Sequence, residues 1–458
     1  MNRRTFLKTG AAAAIGTALL DAADNVSLTA DGKPPPREWL DSMVDPFRDS
    51  LLKAGTGGDF PDRVKACAPP LRGKPAFDPD EVARLAAAIR LPAAAKFGHA
   101  MLERVVRTGL AHIDLTFQRD HPKYGIGKYA WAVCDGFPPV IISTVDALTL
   151  WGNVARAETL MSYWLRCFIH REGYIMFQGP SLSEYGQLLS TVRLLVECGA
   201  NPEWLPAHRD IVRKMVAWIE AQMLATGQVE LLKGMPEDDR RQDIATYFHN
   251  NAWLVRGLRD WAAIDPDGAE RTRKHADELL AKLLAAIRVR WPADPDDWWL
   301  PPTVETSLPA AGEIVRPAFV TENRTSNYTN YRYWPELLSS GVLPRDLAER
   351  VVRARLNGGG QFLGMTRLYR GLLDDWPLFH WLDALWQLGH RDDFLLSLWG
   401  HIFFHQAEGH LTAYEVISMP PGRSSTPYCL PCQLTAVRGA ARRALASPKE
   451  CRQPSHSK

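Results

Sequence analysis

A chain of 458 residues, 46% of them hydrophobic and 23% charged, has the material for one large domain or two to three average ones. A net charge of +2, with no long run of one sign, gives no electrostatic footing for nucleic acid or an anionic membrane surface. Seven cysteines, odd in number and widely spaced, are no disulfide framework for a chain this size.

The chain opens with Asn2-Arg3-Arg4-Thr5-Phe6-Leu7-Lys8, followed by an apolar, small-residue run from Gly10 to Leu20. Paired arginines ahead of a hydrophobic segment too short to cross a bilayer read as a twin-arginine export signal over residues 1–23. That reading predicts a partnership with the twin-arginine translocase, folding before export, and a periplasmic or secreted protein free of the membrane once the signal is removed. Residues 24–92 are rich in Pro and Gly and predict an extended lead-in with one or two short helices, such as Pro79–Ile89. Residues 447–458 read as a tail.

Between them, over residues 93–446, the pattern is helix after helix with no convincing alternating strand. Tight turns fall at Trp151-Gly152-Asn153, Cys198 to Pro202, Asp265-Pro266-Asp267-Gly268, Ser340-Gly341 and Gly389-His390. Glycine or an Asp-Pro pair ends a helix there because the chain must leave helical geometry. The helix before each turn is apolar nearly all round, as in Leu378–Leu388. The helix after it is amphipathic. Six longer loops alternate with the five turns, at roughly 116–137, 170–183, 227–243, 291–326, 357–374 and 408–426. The pattern predicts an all-α fold, an (α/α)6 toroid of six helical hairpins with the apolar helices inside and every long loop on one face. An open solenoid shares the periodicity but not the all-apolar inner layer.

That geometry brings distant residues together. The first loop supplies Trp131 and Asp135, the second leads to Glu184, and the third leads to His249. The fourth supplies Tyr328, Arg332 and Trp334; the fifth supplies Arg367, Asp374, Asp375 and Trp376; the last supplies Glu415. Carboxylates ringed by Trp and Tyr suit a carbohydrate cleft. Aromatic faces stack on the C–H faces of sugar rings, Asp and Arg grip hydroxyls, and two carboxyls share acid and base work at the glycosidic bond. Each carboxylate near a helix start also fits a plain capping role, and each Trp a core role. Cys429-Leu-Pro-Cys432 has the spacing of a redox or zinc pair but lacks a thioredoxin-like context and a second pair of ligands, so no metal and no other cofactor is expected.

Gly409-His-Leu-Thr-Ala-Tyr-Glu415, then a Pro/Gly-rich loop and Tyr428-Cys-Leu-Pro-Cys-Gln-Leu-Thr435, together with the six hairpins, resemble the six-hairpin glycosidases, nearest in layout to the glucoamylase-type inverting enzymes. The resemblance covers about residues 95–445 and is topological. It implies a glycoside hydrolase acting on an oligo- or polysaccharide, with Glu415 as catalytic base. The family's acid is a Glu late in the second long loop. Here that place reads Tyr174-Ile-Met-Phe-Gln178-Gly-Pro, without a carboxyl, so Glu184, Asp374 and Asp375 remain open as acid. A polysaccharide lyase using the His249 and Tyr328 region, and a glycan-binding toroid without catalysis, are the alternatives.

Overall fold

The computed structural model describes residues 44–177, 179–236, 244–290, 300–305, 328–368, 372–419, 421–422 and 426–445. The export signal, the tail and most of the fourth long loop, Gln178 among the second loop's residues, lie outside them.

Among the described residues the lead-in carries three helices, α1 (Arg48–Lys53), α2 (Phe60–Lys65) and α3 (Pro79–Ala88). The predicted Pro79–Ile89 helix is therefore α3, and two further short helices precede it. Twelve helices follow: α4 (Ala100–Thr116), α5 (Pro138–Leu150), α6 (Val154–Phe168), α7 (Leu182–Glu197), α8 (Trp204–Met223) and α9 (Phe248–Ile264), then α10 (Ala269–Arg290), α11 (Trp334–Ser339), α12 (Arg345–Asn357), α13 (Leu378–Leu388), α14 (Arg391–Gly400) and α15 (Leu430–Ala444).

The odd-numbered helices from α5 to α15 form the inner layer. In α5 every residue except Asp146 is buried, as expected of a helix apolar on all sides. The outer helix α8 buries one stripe, through Val212, Met215, Val216 and Ile219. Inner helices end as the turn chemistry requires. At Gly389 the backbone turns left-handed (φ 86°) and its N–H returns to the carbonyl of Leu385, closing α13. The glycine at each of the other four predicted turns also has positive φ.

The ring closes. Asp146 of α5 bonds Thr191 of α7 at 2.9 Å and Arg438 of α15 at 2.7 Å. Helices α7 and α9 cross almost backbone to backbone at Gly186 and Gly257. Arg256 of α9 reaches the Ser340 carbonyl after α11. Ser339 of α11 pairs with His380 of α13 at 2.8 Å. Asp383 of α13 pairs with Arg442 of α15 at 2.5 Å. The indole N–H of Trp151 donates to the Val437 carbonyl at 2.9 Å, fastening the end of α5 to α15. Five hairpins are continuous in sequence. The sixth is made by the two ends of the domain, α15 inside and α4 outside.

One feature departs from the sequence reading. A four-stranded antiparallel sheet, β1 (Gln361–Phe362), β2 (Met365–Leu368), β3 (Leu372–Asp374) and β4 (Val416–Ser418), spans the fifth and last long loops. Strands of two to four residues are too short to show alternation, and their inward and outward faces are both mostly buried, which erases the period-two signal. The sheet matters because β3 ends at Asp374 and β4 begins just after Glu415.

A Cβ at Gly186 would sit 2.0 Å from the Trp253 carbonyl oxygen. Gly186→Ala should therefore cost about 1–3 kcal/mol of stability through overpacking, seen as a lower denaturation midpoint with an unchanged m-value.

Candidate active site

All inner helices begin on the long-loop face, so their N-terminal, positive dipole ends gather there, a setting that favours carboxylates. Pairing of Asp374 with Val416 across β3 and β4 brings the end of one long loop against another. This juxtaposition puts Asp374 and Glu415 within electrostatic reach of each other.

Asp374 is 3% exposed. Its Oδ2 accepts the phenol hydrogen of Tyr331 at 2.7 Å, and its Oδ1 accepts the backbone N–H of Trp376 at 2.8 Å. Burial and then the charge of Glu415 push its carboxyl well above the usual range, against the pull of those two donors. Glu415 is less enclosed and is hydrogen-bonded by the phenol of Tyr129. The pair thus sets a buried carboxyl with a raised pKa beside a less enclosed one.

Aromatic rings flank the pair on two sides. On one side Tyr124 meets Tyr129 (4.6 Å between centroids) and Phe137 (5.2 Å), which reaches Phe177 (5.2 Å) and Trp376 (6.1 Å). On the other, Tyr328 packs edge-on against Tyr331 at 5.3 Å, and Tyr333 stacks on His249 at 4.7 Å. Tyr331, Arg332 and Tyr333 come from a π-helical segment, Thr329–Tyr333, that opens into α11. Such a bulge turns side chains off the regular helical faces.

Arg332 joins the two sides. Its guanidinium lies 3.8 Å from the Trp376 ring centre, while its Nε bonds Glu336 at 2.6 Å. Burial works against the charge on Glu336, but Arg332, then His249 and His380, outweigh it and hold the carboxylate below its usual range. His249 lies 4.0 Å from Glu336 and is drawn down to about 4 by burial, so it stands neutral at pH 7.

Of the twelve residues singled out in the sequence, Asp374, Glu415, Trp376, Arg332, Tyr328 and His249 meet here. Glu184 is buried in the first turn of α7 beside Tyr185. Asp375 is completely enclosed behind Asp374, bound by the Thr366 N–H at 2.8 Å and His401 at 2.9 Å. Asp135 is tied to Lys123 at 2.8 Å and His121 at 2.9 Å. Trp334 is core, its indole N–H bonded to the Leu300 carbonyl at 3.0 Å. Arg367 faces the lead-in, over the Phe362 ring and within the field of Asp45. Trp131 is 66% exposed between two 3-10 turns of the first loop, Gly127–Ala130 and Ala132–Cys134.

Cys429 and Cys432 are buried against each other at the start of α15, where burial raises both thiols. Among the described residues they join no group of three metal donors. A separate cavity of about 500 Å³ lies between α3 and α4, lined by Phe77, Val82, Arg104, His112 and Thr412.

The sequence reading did not single out Tyr331, Tyr124 or Glu336. Arg332 and Glu336 stand at i, i+4, a spacing that could have flagged their ion pair. Nothing in the sequence pairs Tyr331 with Asp374, which lies 43 residues away.

No protein-family model matches the sequence, and no curated protein matches it. Solved structures do. One described as "Glycosidase Wild Type" gives a TM-score of 0.52 at 13% identity, over 75% of this chain and 97% of that one. A glycosidase variant in complex with glucose gives 0.50 at 13% identity, over the same shares of both chains. A GH76 alpha-mannanase of Bacteroides thetaiotaomicron gives 0.41 at 11% identity, over 74% of this chain and 94% of that one. At these identities the first two likenesses establish the architecture alone, and it is the one expected from the sequence: the chain has an (α/α)6 toroid fold, shared with proteins described as glycosidases.

Proposed function

We propose that this chain is an exported glycoside hydrolase whose acid and base are Asp374 and Glu415. The observation that carries this reading is the buried carboxyl of Asp374, held by Tyr331 and the Trp376 N–H and raised by burial and by Glu415, beside the less enclosed Glu415 between two banks of aromatic rings. The fold shared with proteins described as glycosidases, one of them in complex with glucose, supports a saccharide as substrate.

In this mechanism Asp374 donates its proton to the leaving glycosidic oxygen while Glu415 takes a proton from the attacking water. The layout that the sequence resembles makes this an inverting reaction, with a water between sugar and base and carboxyls roughly 6.5–9.5 Å apart. Tyr129, which bonds Glu415, is the partly exposed ring beside the pair, and Trp376 with Arg332 stacked on it, together with Tyr328, forms the buried wall behind it. His249 and Glu336 hold Arg332 and Tyr333 in place.

The test is digestion of a glycan library by wild type, Asp374→Asn and Glu415→Gln. New reducing ends without unsaturated-uronate absorbance are expected, and each variant should lose about 10²–10⁴-fold in kcat/KM. On a glycoside with an activated aryl leaving group, which needs little protonation, Asp374→Asn should lose much less than Glu415→Gln. The first-formed anomer, followed by NMR, should be opposite to that of the substrate. Absorbance that survives Glu415→Gln would instead mark a lyase.

Export through the twin-arginine route rests on Arg3-Arg4 and the Gly10–Leu20 run. Residues 1–23 fused to a folded reporter should carry it to the periplasm, and replacing both arginines with lysine should strand it in the cytoplasm. Export that ignores this substitution would remove the assignment.

A further inference from the structure

Behind the acid and base lies a polar cluster that the proposed reaction does not use. His401 and His405, on a π-helical segment that continues α14, stack with ring centres 5.2 Å apart, and both are completely buried. They face Asp375. One carboxylate oxygen, Oδ1, accepts the Thr366 N–H at 2.8 Å; the other, Oδ2, lies 2.9 Å from His401 Nδ1 and 3.4 Å from His405 Nδ1. The donor atoms of the three residues lie within 4.8 Å of one another.

Counting protons exposes a mismatch. His405 Nε2 sits 2.6 Å from the Tyr414 carbonyl oxygen, which can only accept, so the ring's proton belongs on Nε2. In the neutral ring Nδ1 is then a lone pair, aimed at a carboxylate oxygen that is also an acceptor. Among the described residues this nitrogen has no hydrogen-bond partner. Two acceptors facing each other in the buried interior are unfavourable unless a further proton or a metal cation lies between them.

His401 completes the pattern. Its Nε2 lies 3.3 Å from the side-chain amide nitrogen of Gln406, whose Oε1 is buried without a hydrogen-bond partner among the described residues. Turning that amide over gives its oxygen the Nε2–H of His401. Both Nδ1 lone pairs then converge on the same point beside Asp375 Oδ2. Each imidazole would be fixed by an acceptor on its far nitrogen, the outer support that metal-binding histidines require.

We infer that Asp375, His401 and His405 form a site for a divalent zinc-class cation. This goes beyond the hydrolase reading and does not depend on it. Two imidazole nitrogens and one carboxylate oxygen are a donor set suited to zinc. Zinc bonds of about 2.0–2.2 Å place tetrahedral donors about 3.3–3.5 Å apart; the carboxylate oxygen lies 2.9 and 3.4 Å from the two ring nitrogens and all three donors lie within 4.8 Å of one another, so side-chain shifts close them around an ion. The fourth position falls to a water that enters with the ion. The ion takes the place of the proton between His401 and Asp375 and joins the β3–α13 shoulder to the end of α14. Asp374 and Trp376, on either side of Asp375, are thereby held in position.

The experiment uses the full chain produced with zinc supplied, then dialysed free of loose metal, and reads zinc content, X-ray absorption and thermal midpoint. The expected result is one zinc per chain with a nitrogen/oxygen shell, a lower Tm after chelation, and loss of the zinc in His405→Leu. Absence of retained zinc in the wild type, or zinc retained by a folded His405→Leu, overturns the site. So does a sulfur shell at about 2.3 Å, which would place the ion at Cys429 and Cys432. If His405→Leu does not fold, the wild-type shell alone decides. No glycan enters the assay, so its failure is separate from failure of the hydrolase reading.

Discussion

The structure depends on one meeting of distant segments: α15 seats between α5 and α13, with α4 outside it. Inner helices as apolar as α5 cannot leave a flank in water, and an open array of five hairpins would expose one at each end. The Asp146–Arg438 and Asp383–Arg442 pairs and the Trp151–Val437 bond fix α15 on both sides. Closure is also what makes the long loops functional. It turns them toward a common axis and lets β3 and β4, from different loops, pair beside each other.

At that pairing the fold accepts an unfavourable arrangement. Burial and the neighbouring Glu415 both oppose a charge on Asp374, and its pKa is raised in answer. Tyr331 and the Trp376 N–H orient it without supplying enough stabilisation to ionise it. Asp375, one residue on, goes the other way. It is as deeply buried, but one carboxylate oxygen takes the Thr366 N–H and the other lies against the ring nitrogens of His401 and His405. Neighbouring aspartates thus acquire opposite characters from their surroundings, one suited to giving a proton and the other to gripping a cation.

The fold was largely legible in the sequence because each of its signals is local. Apolar inner helices, glycine-ended turns and the alternation of short and long connections can each be read within some thirty residues. The site was legible by loop rather than by residue. Asp374, Glu415, Trp376, Arg332, Tyr328 and His249 could be assigned to the correct face, but so could Asp135 and Arg367, which are bound to Lys123 and directed at Asp45 respectively. What separates these groups is side-chain partnership across long sequence distances, such as Tyr331 with Asp374, and no periodicity encodes it. The small sheet escaped notice for a related reason: its strands are shorter than the window in which alternation becomes visible.

The pH dependence of kcat/KM, wild type beside Tyr331→Phe, is the most direct test of the central claim. Asp374 must keep its proton to act as acid, and its pKa is raised, so activity should persist above the ordinary carboxylate range and fall as pH rises through that raised value. Tyr331→Phe removes a donor that favours the charged form, so the falling limb should move to higher pH. A falling limb within the ordinary carboxylate range, or one that Tyr331→Phe leaves unmoved, would contradict Asp374 as the proton donor.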